Sequence, residues 1–447
     1  MRISVIGCGY LGAVHATCMA SLGHDVVGID RDSERIASLA AGRAPFFEPG
    51  LDRLLAEQLA SDRLRFSADM SDAASAEVHF LAVGTPQGPG GAADLSHLES
   101  ALDALRPALA SGALVVGKST VPVGTAARLS EIVAARGARL AWNPEFLREG
   151  HAIDDTLRPD RIVYGVVGEA DAAVLDAVYA GVLSHGMPRI VTDLATAELV
   201  KTAANAFLAT KISFINAMAE VAEASGADVA RLAEAIGHDP RIGHRFLGAG
   251  VGFGGGCLPK DIRAFQARAD ELGVGEALAF LGEVDRINQR RRDRVVTLAA
   301  ELLGGDVAGR RIAVLGLAFK PDSDDVRDSP ALDIAVRLHA AGAHVRATDP
   351  HAIPAARRVQ PELDYRDTLD EALSRAELVL LLTEWREYRL LDPAATRIRV
   401  SGLRLIDGRN ALDAEAWRAA GWDYRALGRA FASRGIAAPA AVGALDV

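Results

Sequence analysis

A glycine-rich turn near the start of the chain constrains the fold more than any other stretch. Residues 2–6 alternate and are rich in apolar side chains, as in a strand, and residues 7–12 then read G-C-G-Y-L-G, which fits G-x-G-x-x-G. The spacing predicts a helix from this turn to about Leu22 and a second strand over residues 25–29 that leads to Asp30. In such a unit the glycines let a pyrophosphate approach the helix N-terminus. We therefore interpret the stretch as a Rossmann-type unit that binds a dinucleotide, rather than as a simple glycine-rich turn.

The acidic residue after the second strand bears on which dinucleotide binds. Asp30 can accept a hydrogen bond from a ribose 2′-hydroxyl, and its charge repels a 2′-phosphate. The neighbouring Arg31 weakens that preference slightly. The sequence therefore predicts NAD rather than NADP as the cofactor.

The strand pattern continues and then restarts near Gly304. Strands are predicted over residues 78–83 and 114–117, and hydroxyl residues follow each of them at the end where doubly wound sheets bind ligands. Residues 311–316 repeat the pattern of residues 2–7, but the second and third glycines are missing. The second unit is therefore expected to be doubly wound without binding a dinucleotide in the same way.

The length of 447 residues is too great for a single core. Between the two units, residues 196–225 contain no glycine or proline and show helical spacing, which predicts one long helix. The predicted fold class is α/β, with two doubly wound Rossmann-like domains joined by a central helical domain that contains this long spine helix. The predicted divisions are residues 1–195, 196–303 and 304–434, followed by an Ala/Gly/Pro-rich tail, residues 435–447, that is expected to be disordered.

Composition and cysteine usage limit the possible partners and compartments. The net charge of −10 argues against nucleic acid or an anionic membrane as a partner. No apolar run approaches the roughly 18 residues that span a bilayer, and a chain that opens on a strand leaves no room for a signal peptide. The cysteines, Cys8, Cys18 and Cys257, lie far apart without a C-x-x-C spacing, so neither a disulfide framework nor a metal site is predicted. Together these features predict a cytoplasmic protein.

A second glycine-rich stretch, residues 250–261, carries the most reactive residue type in the chain. It reads GVGFGGGCLPKD and places Cys257 directly after three glycines. Because glycines let a bulky ligand approach closely, this cysteine can be an exposed nucleophile, and Lys260 is expected to lower its pKa enough to populate the thiolate. The alternative is a tight loop with an inert buried cysteine.

Other residues with suitable chemistry fall in three further stretches. Glu145 and Glu149, four residues apart beside a proline, fit a base and a positioning group, or else a solvated helix start. Lys201 and Asn205 share one face of the predicted long helix and suit an oxyanion, although a helix end facing solvent explains them equally. Arg241 is either a contact for a phosphate or sugar or an ordinary surface arginine.

Two groups of basic residues are interpreted differently. Lys320 and Arg327, in the first turn of the second unit, supply the basic groups that an anionic ligand needs. The run of Arg290, Arg291 and Arg292 is interpreted as a solvated helix face.

Seven blocks in a consistent order make the chain resemble the nucleotide-sugar dehydrogenase family: GCGYLG, VGTPQ, KSTVPVGT, NPEFLREG, KTAANAFLATKISFIN, GVGFGGGCLPKD and FKPDSDDVRDSP. The resemblance covers nearly the whole chain. It implies an NAD-dependent four-electron oxidation of a sugar CH₂OH group to a carboxylate, without release of the aldehyde. It also implies a homodimer in which each subunit has an N-terminal NAD-binding domain, a central helical dimerisation domain and a C-terminal domain for the nucleotide diphosphate.

The resemblance also implies roles for individual residues. The family's catalytic roles fall on Cys257, Lys201, Asn205, Asp261, Glu145 and Thr120. The cysteine would attack the aldehyde to give a thiohemiacetal, which the second hydride transfer converts into a thioester. The lysine and the asparagine would stabilise oxyanions, the aspartate and the threonine would hold a water, and the glutamate would serve hydrolysis.

Binding contacts are implied in the same way. The cofactor contacts fall on Gly7, Gly9, Tyr10, Leu11, Gly12, Asp30, Arg35, Thr85, Thr120, Glu149 and Arg327. The substrate contacts fall on Glu145, Phe146, Leu147, Arg148, Glu149, Lys201, Asn205, Arg241, Phe246, Gly254 and Lys320. Among these, Arg241 would reach into the site of the neighbouring subunit.

The segment before the cysteine, DPRIGHRFLGAGVGFGG, resembles the branch of the family that oxidises UDP-glucose, which is therefore the expected substrate. Enzymes acting on GDP-mannose or on a UDP-N-acetylhexosamine such as UDP-N-acetylmannosamine are the alternatives. A redox-inactive nucleotide-sugar binding protein would have lost a chemical residue, and a two-electron hydroxyacid dehydrogenase would not need Cys257. One departure from many relatives is Gly256, where they carry serine or a larger residue.

Overall fold

The computed structural model describes residues 1–429, so the tail predicted to be disordered lies outside the described residues. Fourteen strands are present in this part of the chain. They are β1 (Arg2–Ile6), β2 (Asp25–Ile29), β3 (Leu64–Ser67), β4 (Val78–Leu81), β5 (Leu114–Gly117), β6 (Arg139–Trp142), β7 (Ile162–Gly165), β8 (Arg189–Thr192), β9 (Arg311–Leu315), β10 (His344–Thr348), β11 (Asp364–Tyr365), β12 (Leu378–Leu381), β13 (Arg404–Asp407) and β14 (Asp423–Ala426).

Eighteen α-helices accompany the strands over residues 1–429. They are α1 (Tyr10–Ser21), α2 (Ser33–Ala40), α3 (Leu51–Ala60), α4 (Ser96–Leu105), α5 (Thr125–Ala134), α6 (Ala152–Leu157), α7 (Glu169–Val178), α8 (Ala180–Leu183), α9 (Leu194–Ser225), α10 (Val229–Gly237), α11 (Leu258–Glu271), α12 (Phe280–Leu303), α13 (Pro330–Ala340), α14 (Ile353–Val359), α15 (Leu369–Leu373), α16 (Arg386–Arg389), α17 (Pro393–Arg397) and α18 (Ala414–Ala419). In the described part of the chain, no helix combines the length and apolar character needed to cross a membrane.

The first eight strands form one sheet in the order β3-β2-β1-β4-β5-β6-β7-β8. Neighbouring strands are parallel except β6 and β7, which pair antiparallel. Strand β5 has the predicted bounds, whereas β4 ends at Leu81, short of the predicted Val83. The central strands read as nearly continuous apolar runs because helices cover both faces of the sheet.

The second sheet has the order β11-β10-β9-β12-β13-β14 and is parallel throughout, which repeats the arrangement of the first six strands of the first sheet. Asp349, after β10, corresponds to Asp30, after β2. Its carboxylate accepts hydrogen bonds from the N–H groups of Leu317 and Ala318, at 2.8 and 3.1 Å, and so is used within its own turn. The predicted α/β class with two doubly wound units is confirmed.

The predicted spine is the 32-residue helix α9, which packs against α11 and α12. It begins at Leu194, two residues earlier than predicted, because the Asp193 side chain caps it by accepting a hydrogen bond from the N–H of Thr196 at 2.8 Å. It ends at the predicted Ser225, and the next residue, Gly226, adopts the left-handed conformation typical of helix C-termini. The residues at the two ends therefore set the bounds of the spine.

The interpretation of Arg290, Arg291 and Arg292 as a solvated face is wrong for two of the three. Arg291 and Arg292 are buried on α12. Arg291 lies 3.3 Å from a carboxylate oxygen of Glu223 on α9, and Arg292 lies 2.9 Å from one of Asp328 in the second unit. Arg291 therefore ties α12 to α9 and Arg292 ties α12 to the second unit, because the helix turns both toward carboxylates that are distant in sequence.

Candidate active site

The cysteine loop, residues 250–257, is held by two buried asparagines on neighbouring helices. On α9, Oδ1 of Asn216 accepts a hydrogen bond from the first N–H group of the loop at 2.9 Å. On α12, the side chain of Asn288 accepts from the N–H of Phe253 at 2.8 Å and donates to its carbonyl at 2.9 Å. A Cβ at Gly252, where φ is +96°, would lie 2.2 Å from Oδ1 of Asn288. The glycine is therefore required for this close approach.

Cys257 ends the loop and directly precedes α11. Its side chain is exposed, but the surrounding protein desolvates the thiolate. This desolvation raises the pKa of the thiol to about 12, against the opposing charge of Lys201. The ammonium of Lys260 lies 2.6 Å from Oδ1 of Asp261, which neutralises it. Lys260 still lowers the pKa of the thiol, but burial raises it by more, so the prediction that Lys260 populates the thiolate is wrong.

Lys201 and Glu145 form a buried ion pair beside the cysteine. Nζ of Lys201 lies 3.0 Å from Oε1 of Glu145, and the two side chains are 6% and 12% exposed. The second carboxylate oxygen accepts a hydrogen bond from the N–H of Leu147 at 2.7 Å. Burial opposes the charge on Lys201, but Glu145 and the neighbouring Cys257 and Asp261 outweigh it and raise the pKa of the lysine. The structure thus excludes the solvated alternatives for both residues.

Asn205 and Asp261 form a second buried pair. The amide of Asn205 donates to Oδ2 of Asp261 at 2.6 Å, while Lys260 occupies the other carboxylate oxygen. Asp261 also lines a cleft with Thr120 and Thr85, and the Thr85 hydroxyl donates to the Thr120 carbonyl at 2.8 Å. The predicted catalytic residues therefore converge at one place, although they come from four separate stretches of the chain.

The G-x-G-x-x-G turn has the shape that a pyrophosphate requires. A Cβ at Gly12 would lie 1.7 Å from the carbonyl oxygen of Gly7, so the helix start packs directly on the turn. Gly7 itself has φ +89°. Gly9, by contrast, faces open space with no atom within 4 Å of a Cβ, at the N-terminus of α1. The turn thus leaves room for an anionic group at the helix N-terminus.

Asp30 lies beside this turn at the end of β2. Its Oδ2 accepts a hydrogen bond from the N–H of Cys8 at 2.8 Å and lies 2.9 Å from Nη1 of Arg35. Asp30, predicted to bind the ribose, and Arg35, predicted as a cofactor contact, therefore lie together next to the glycines. The Asp30 carboxylate also pairs with Arg35, a cation that would otherwise attract a 2′-phosphate.

Glu149 joins the first doubly wound unit to the second. Its carbonyl accepts from Nζ of Lys320 at 2.5 Å, and its carboxylate accepts from Ser323 at 2.8 Å and from Arg327 at 3.3 Å. Burial and the neighbouring Asp325 raise the pKa of Glu149 to about 7, against these three partners. Two of the predicted basic contacts, Lys320 and Arg327, therefore meet a predicted cofactor contact at the boundary between the units.

The guanidinium of Arg327 also explains the glycine that precedes the cysteine. A Cβ at Gly256 would lie 2.3 Å from Cζ of Arg327. A serine at this position would have to displace the guanidinium. Gly256 therefore permits Arg327 to lie against the cysteine loop.

Three predicted substrate contacts do not join the cluster within this chain. Arg241 is 88% exposed and pairs with Asp239 at 2.6 Å, and Phe246 is exposed in a loop with φ +65°. Both the side chain and the backbone N–H of Arg148 bond to Asp155, at 2.6 and 2.7 Å. Arg241 and Phe246 thus remain available to a neighbouring molecule.

Two residues of the site escaped the sequence analysis. Lys118, directly after β5, is buried and donates to Oδ1 of Asn143 at 2.9 Å, and desolvation lowers its pKa to about 8. Its position at the carboxyl end of a central strand, where doubly wound sheets bind ligands, could have indicated a site residue. Arg409 donates to the carbonyls of Gly252 and Phe319, at 3.1 and 2.8 Å, and so ties the cysteine loop to the second unit. The sequence around Arg409 gave no comparable signal.

Comparison with known families assigns three parts of the chain. Residues 1–183 match the NAD binding domain of the UDP-glucose/GDP-mannose dehydrogenase family, residues 195–290 match its central domain, and residues 313–414 match its UDP binding domain. The chain belongs to this family. It is accordingly an NAD-dependent oxidoreductase, and the open space above Gly9 and the carboxylate of Asp30 fit that cofactor.

Individual relatives match over nearly their whole length. The chain is 42% identical over 437 residues to the UDP-glucose 6-dehydrogenase of Rhizobium meliloti (strain 1021), covering 96% of this chain and 100% of the relative. The solved structure of a UDP-glucose dehydrogenase from Pyrobaculum islandicum has a TM-score of 0.88 and 40% identity, covering 96% and 98% of the two chains. That of a UDP-D-ManNAc dehydrogenase from Pyrococcus horikoshii has a TM-score of 0.84 and 29% identity, covering 96% and 99%.

Proposed function

We propose that this family member oxidises UDP-glucose to UDP-glucuronate in two NAD-dependent steps, with Cys257 as the covalent nucleophile. The observation that carries the proposal is the placement of the cysteine beside the ion pair of Lys201 and Glu145 and the pair of Asn205 and Asp261. The two named relatives at 40% and 42% identity are UDP-glucose dehydrogenases, whereas the UDP-D-ManNAc dehydrogenase is 29% identical, and this difference supports UDP-glucose as the substrate.

The first oxidation takes a proton and a hydride from the sugar CH₂OH group. NAD, when bound, accepts the hydride in each of the two oxidations. Lys201 and a water held by Asp261 and Thr120 face the developing oxyanion, which a buried cation stabilises more strongly than one in water. The resulting aldehyde stays in the site because the next step bonds its carbon to Cys257.

The second oxidation requires the thiol. Sγ of Cys257 bonds to the aldehyde carbon as the C=O π bond opens, and the thiol proton passes to the water held by Asp261 and Thr120. Lys201 and Asn205 stabilise the oxyanion of the resulting thiohemiacetal. Loss of a hydride from that carbon leaves a thioester. Water then attacks the thioester with Glu145 as the base, so the C–S bond breaks, the carboxylate forms and the thiol is regenerated. Because burial raises the pKa of the Cys257 thiol, we propose that deprotonation accompanies attack rather than preceding it.

Each part of the chain receives one task in this scheme. Residues 1–195 bind NAD, residues 196–303 supply the cysteine loop and the dimer contact, and residues 304–434 bind the UDP group. Lys320 and Arg327 provide the cations for the nucleotide sugar and the cofactor phosphates at the junction around Glu149.

We further propose a homodimer built on the spine helix α9. Phe207, Phe214 and Val221 are exposed at intervals of seven residues along α9, which places them in one apolar stripe. Arg241 lies near this helix, because Nζ of Lys211 on α9 donates to the Ile242 carbonyl at 3.0 Å. If a partner subunit packs on the stripe, the exposed Arg241 of one subunit lies toward the substrate site of the other.

Counting NADH per sugar tests the function. Purified protein should form two NADH per UDP-glucose consumed, and UDP-glucose should give a higher kcat/KM than GDP-mannose or UDP-N-acetylmannosamine. The Cys257→Ala variant should form no acid, yet should still reduce UDP-6-aldehydo-glucose with NADH, since that reaction reverses the first step. One NADH per sugar would indicate a two-electron dehydrogenase, and none with any of the three sugars would indicate a binding protein.

A further inference from the structure

Glu48 is a buried carboxylate that lies outside the catalytic cluster and is 6% exposed. Its Oε1 accepts a hydrogen bond from the N–H of Ala152 at 2.8 Å, and its Oε2 accepts from the N–H of Gly150 at 2.6 Å. The hydroxyl of Tyr10 also donates to Oε2. One side chain therefore receives three donors from two stretches that are far apart in sequence.

The Tyr10 contact ties Glu48 to the cofactor turn. Tyr10 is the first residue of α1 and follows Gly9 directly. Burial and Glu48 raise the pKa of the phenol, so it remains protonated and acts as the donor. Its ring packs on Phe46 with centroids 4.8 Å apart. The segment that carries Glu48 thus packs on the turn that cradles the pyrophosphate.

The Gly150 contact ties Glu48 to the stretch that we name the substrate segment, residues 145–150. Gly150 has φ +81°, and a Cβ there would lie 2.6 Å from the carbonyl oxygen of Asp322 in the second unit. Because this position is close-packed, a shift of Gly150 must be passed along the segment to Glu145. Ala152 is the first residue of α6, the helix that follows the segment. Because its N–H donates to Glu48, the carboxylate also caps this helix.

The residue next to Glu48 reaches the second unit directly. The ring of Phe47 stacks on that of His351, with centroids 3.7 Å apart and planes 15° from parallel. The segment around Glu48 therefore contacts the cofactor turn, the substrate segment and the second unit at the same time.

We propose that Glu48 is a positioning residue that holds the substrate segment in register with the cofactor turn through Gly150 and Tyr10. The proposal rests on the proposed function, because the two stretches must be aligned only if sugar and NAD react between them. A glutamine has the same shape but only one acceptor oxygen, so at least one of the three donors would face an NH₂ group. Glu48→Gln therefore disturbs the register without opening a cavity.

The experiment compares Glu48→Gln and Tyr10→Phe with the unmutated protein and with Glu57→Gln, an exposed glutamate on α3 that serves as the control. Amide hydrogen exchange of the peptide that contains residues 150–152 is measured without substrate, and kcat and KM for UDP-glucose are measured per folded protein. For Glu48→Gln we expect roughly tenfold faster exchange and at least a tenfold loss of kcat. Tyr10→Phe keeps both bonds from backbone N–H groups to Glu48 but removes the 3.2 Å bond from the Gly150 N–H to the Tyr10 hydroxyl, so it should lower kcat about threefold and speed exchange less than Glu48→Gln does.

Each arm has an outcome that overturns the proposal. Unchanged exchange in Glu48→Gln would show that the carboxylate does not hold the segment. Faster exchange or a lower melting temperature with unchanged kcat and KM would show a merely structural residue. If the unmutated protein and Glu57→Gln both fail to oxidise UDP-glucose, the proposed function fails, while the exchange arm still decides whether Glu48 fixes the segment. Should Glu48→Gln fail to fold, an unaltered kcat in Tyr10→Phe would remove the link to the cofactor turn.

Discussion

Nζ of Lys201 lies 3.0 Å from Oε1 of Glu145, so the cation that most favours a thiolate at Cys257 is already paired with a carboxylate. Lys260 is paired in the same way with Asp261. Each pair is neutral as a whole, and the site therefore offers little net positive charge to a thiolate. Burial raises the pKa of the Cys257 thiol, and because this balance of charges offsets little of that rise, the exposed cysteine remains protonated.

The first prediction concerns that thiol. With a pKa of about 12 for Cys257, the thiolate fraction at pH 8 is roughly a thousandfold below that of a free cysteine, and its alkylation by iodoacetamide should be correspondingly slow. The rate should rise about tenfold for each pH unit between pH 7 and pH 10. Peptide mass spectrometry measures the rate, with glutathione as the reference thiol and the buried Cys8 and Cys18 as unreactive internal controls. A rate that levels off below pH 9 would contradict the raised pKa.

The second prediction separates hydrolysis from oxidation. Glu145→Gln removes the proposed base for the water that attacks the thioester, so covalent enzyme should accumulate on Cys257 and steady-state turnover should fall at least a hundredfold. Intact-protein and peptide mass spectrometry would detect the adduct. Glu131→Gln, an exposed glutamate on α5, is the matched control and should turn over normally. Normal turnover by Glu145→Gln would assign the hydrolytic role to another group, such as Asp261 with its water.

Much of the fold could be predicted because its determinants are local. The strands β1, β2 and β5 and the repeat of the first unit follow from apolar runs and glycine turns that can be counted along the chain. The predicted start of α9 is two residues later than Leu194, where the helix begins, because the side chain of one residue, Asp193, determines that start by capping the helix. The burial of Arg291 and Arg292 could not be predicted, since their carboxylate partners come from other elements.

The sequence indicated most of the residues that lie together around Cys257, but not Lys118 or Arg409 and not how the residues pair. The spacing of Lys201 and Asn205 places them on one helix face. It does not show that Lys201 pairs with Glu145 or Asn205 with Asp261, because the members of each pair are 56 residues apart in sequence. The electrostatics of the cysteine depend on those pairings and on burial. For that reason the predicted effect of Lys260 on the thiol was wrong.

The third prediction tests the cofactor choice. Asp30→Ala should erode the preference for NAD over NADP in kcat/KM by roughly tenfold or more, because it removes a repulsive charge and also releases Arg35 to attract a 2′-phosphate. Asp30→Asn keeps an acceptor for the N–H of Cys8 and separates loss of charge from disturbance of the turn. Equal efficiency of the two cofactors in the unmutated protein would contradict the role of Asp30.

The fourth prediction follows from Glu149, whose pKa is raised to about 7 by burial and Asp325. A raised pKa means that the folded state binds the proton more tightly than the unfolded state. This contribution to stability is therefore largest at low pH and is lost as the pH rises from about 4.5 to about 7. Between pH 5 and pH 8, the free energy of unfolding of the unmutated protein should fall relative to Glu149→Gln, on the order of 2 to 3 kcal/mol. Denaturant titrations at both pH values measure it, and parallel profiles would contradict the shift.

The fifth prediction concerns the proposed dimer. Phe214→Asp places a charge in the exposed apolar stripe of α9 and should yield monomers with little activity, as measured by light scattering and NADH formation. Arg241→Ala should leave the dimer intact and mainly raise KM for UDP-glucose, with KM for NAD little changed. A fully active monomer would contradict the shared site.

Mixing two variants tests the shared site directly. If Arg241 serves the partner's site, a dimer of one Cys257→Ala subunit and one Arg241→Ala subunit contains one site with both residues intact. After subunit exchange, the mixture should therefore regain up to about a quarter of the unmutated activity, with an unmutated KM. The control is Cys257→Ala mixed with a subunit that carries both substitutions, which can assemble no intact site. A first mixture no more active than the sum of its parts, despite measured subunit exchange, would mean that Arg241 does not act across the interface.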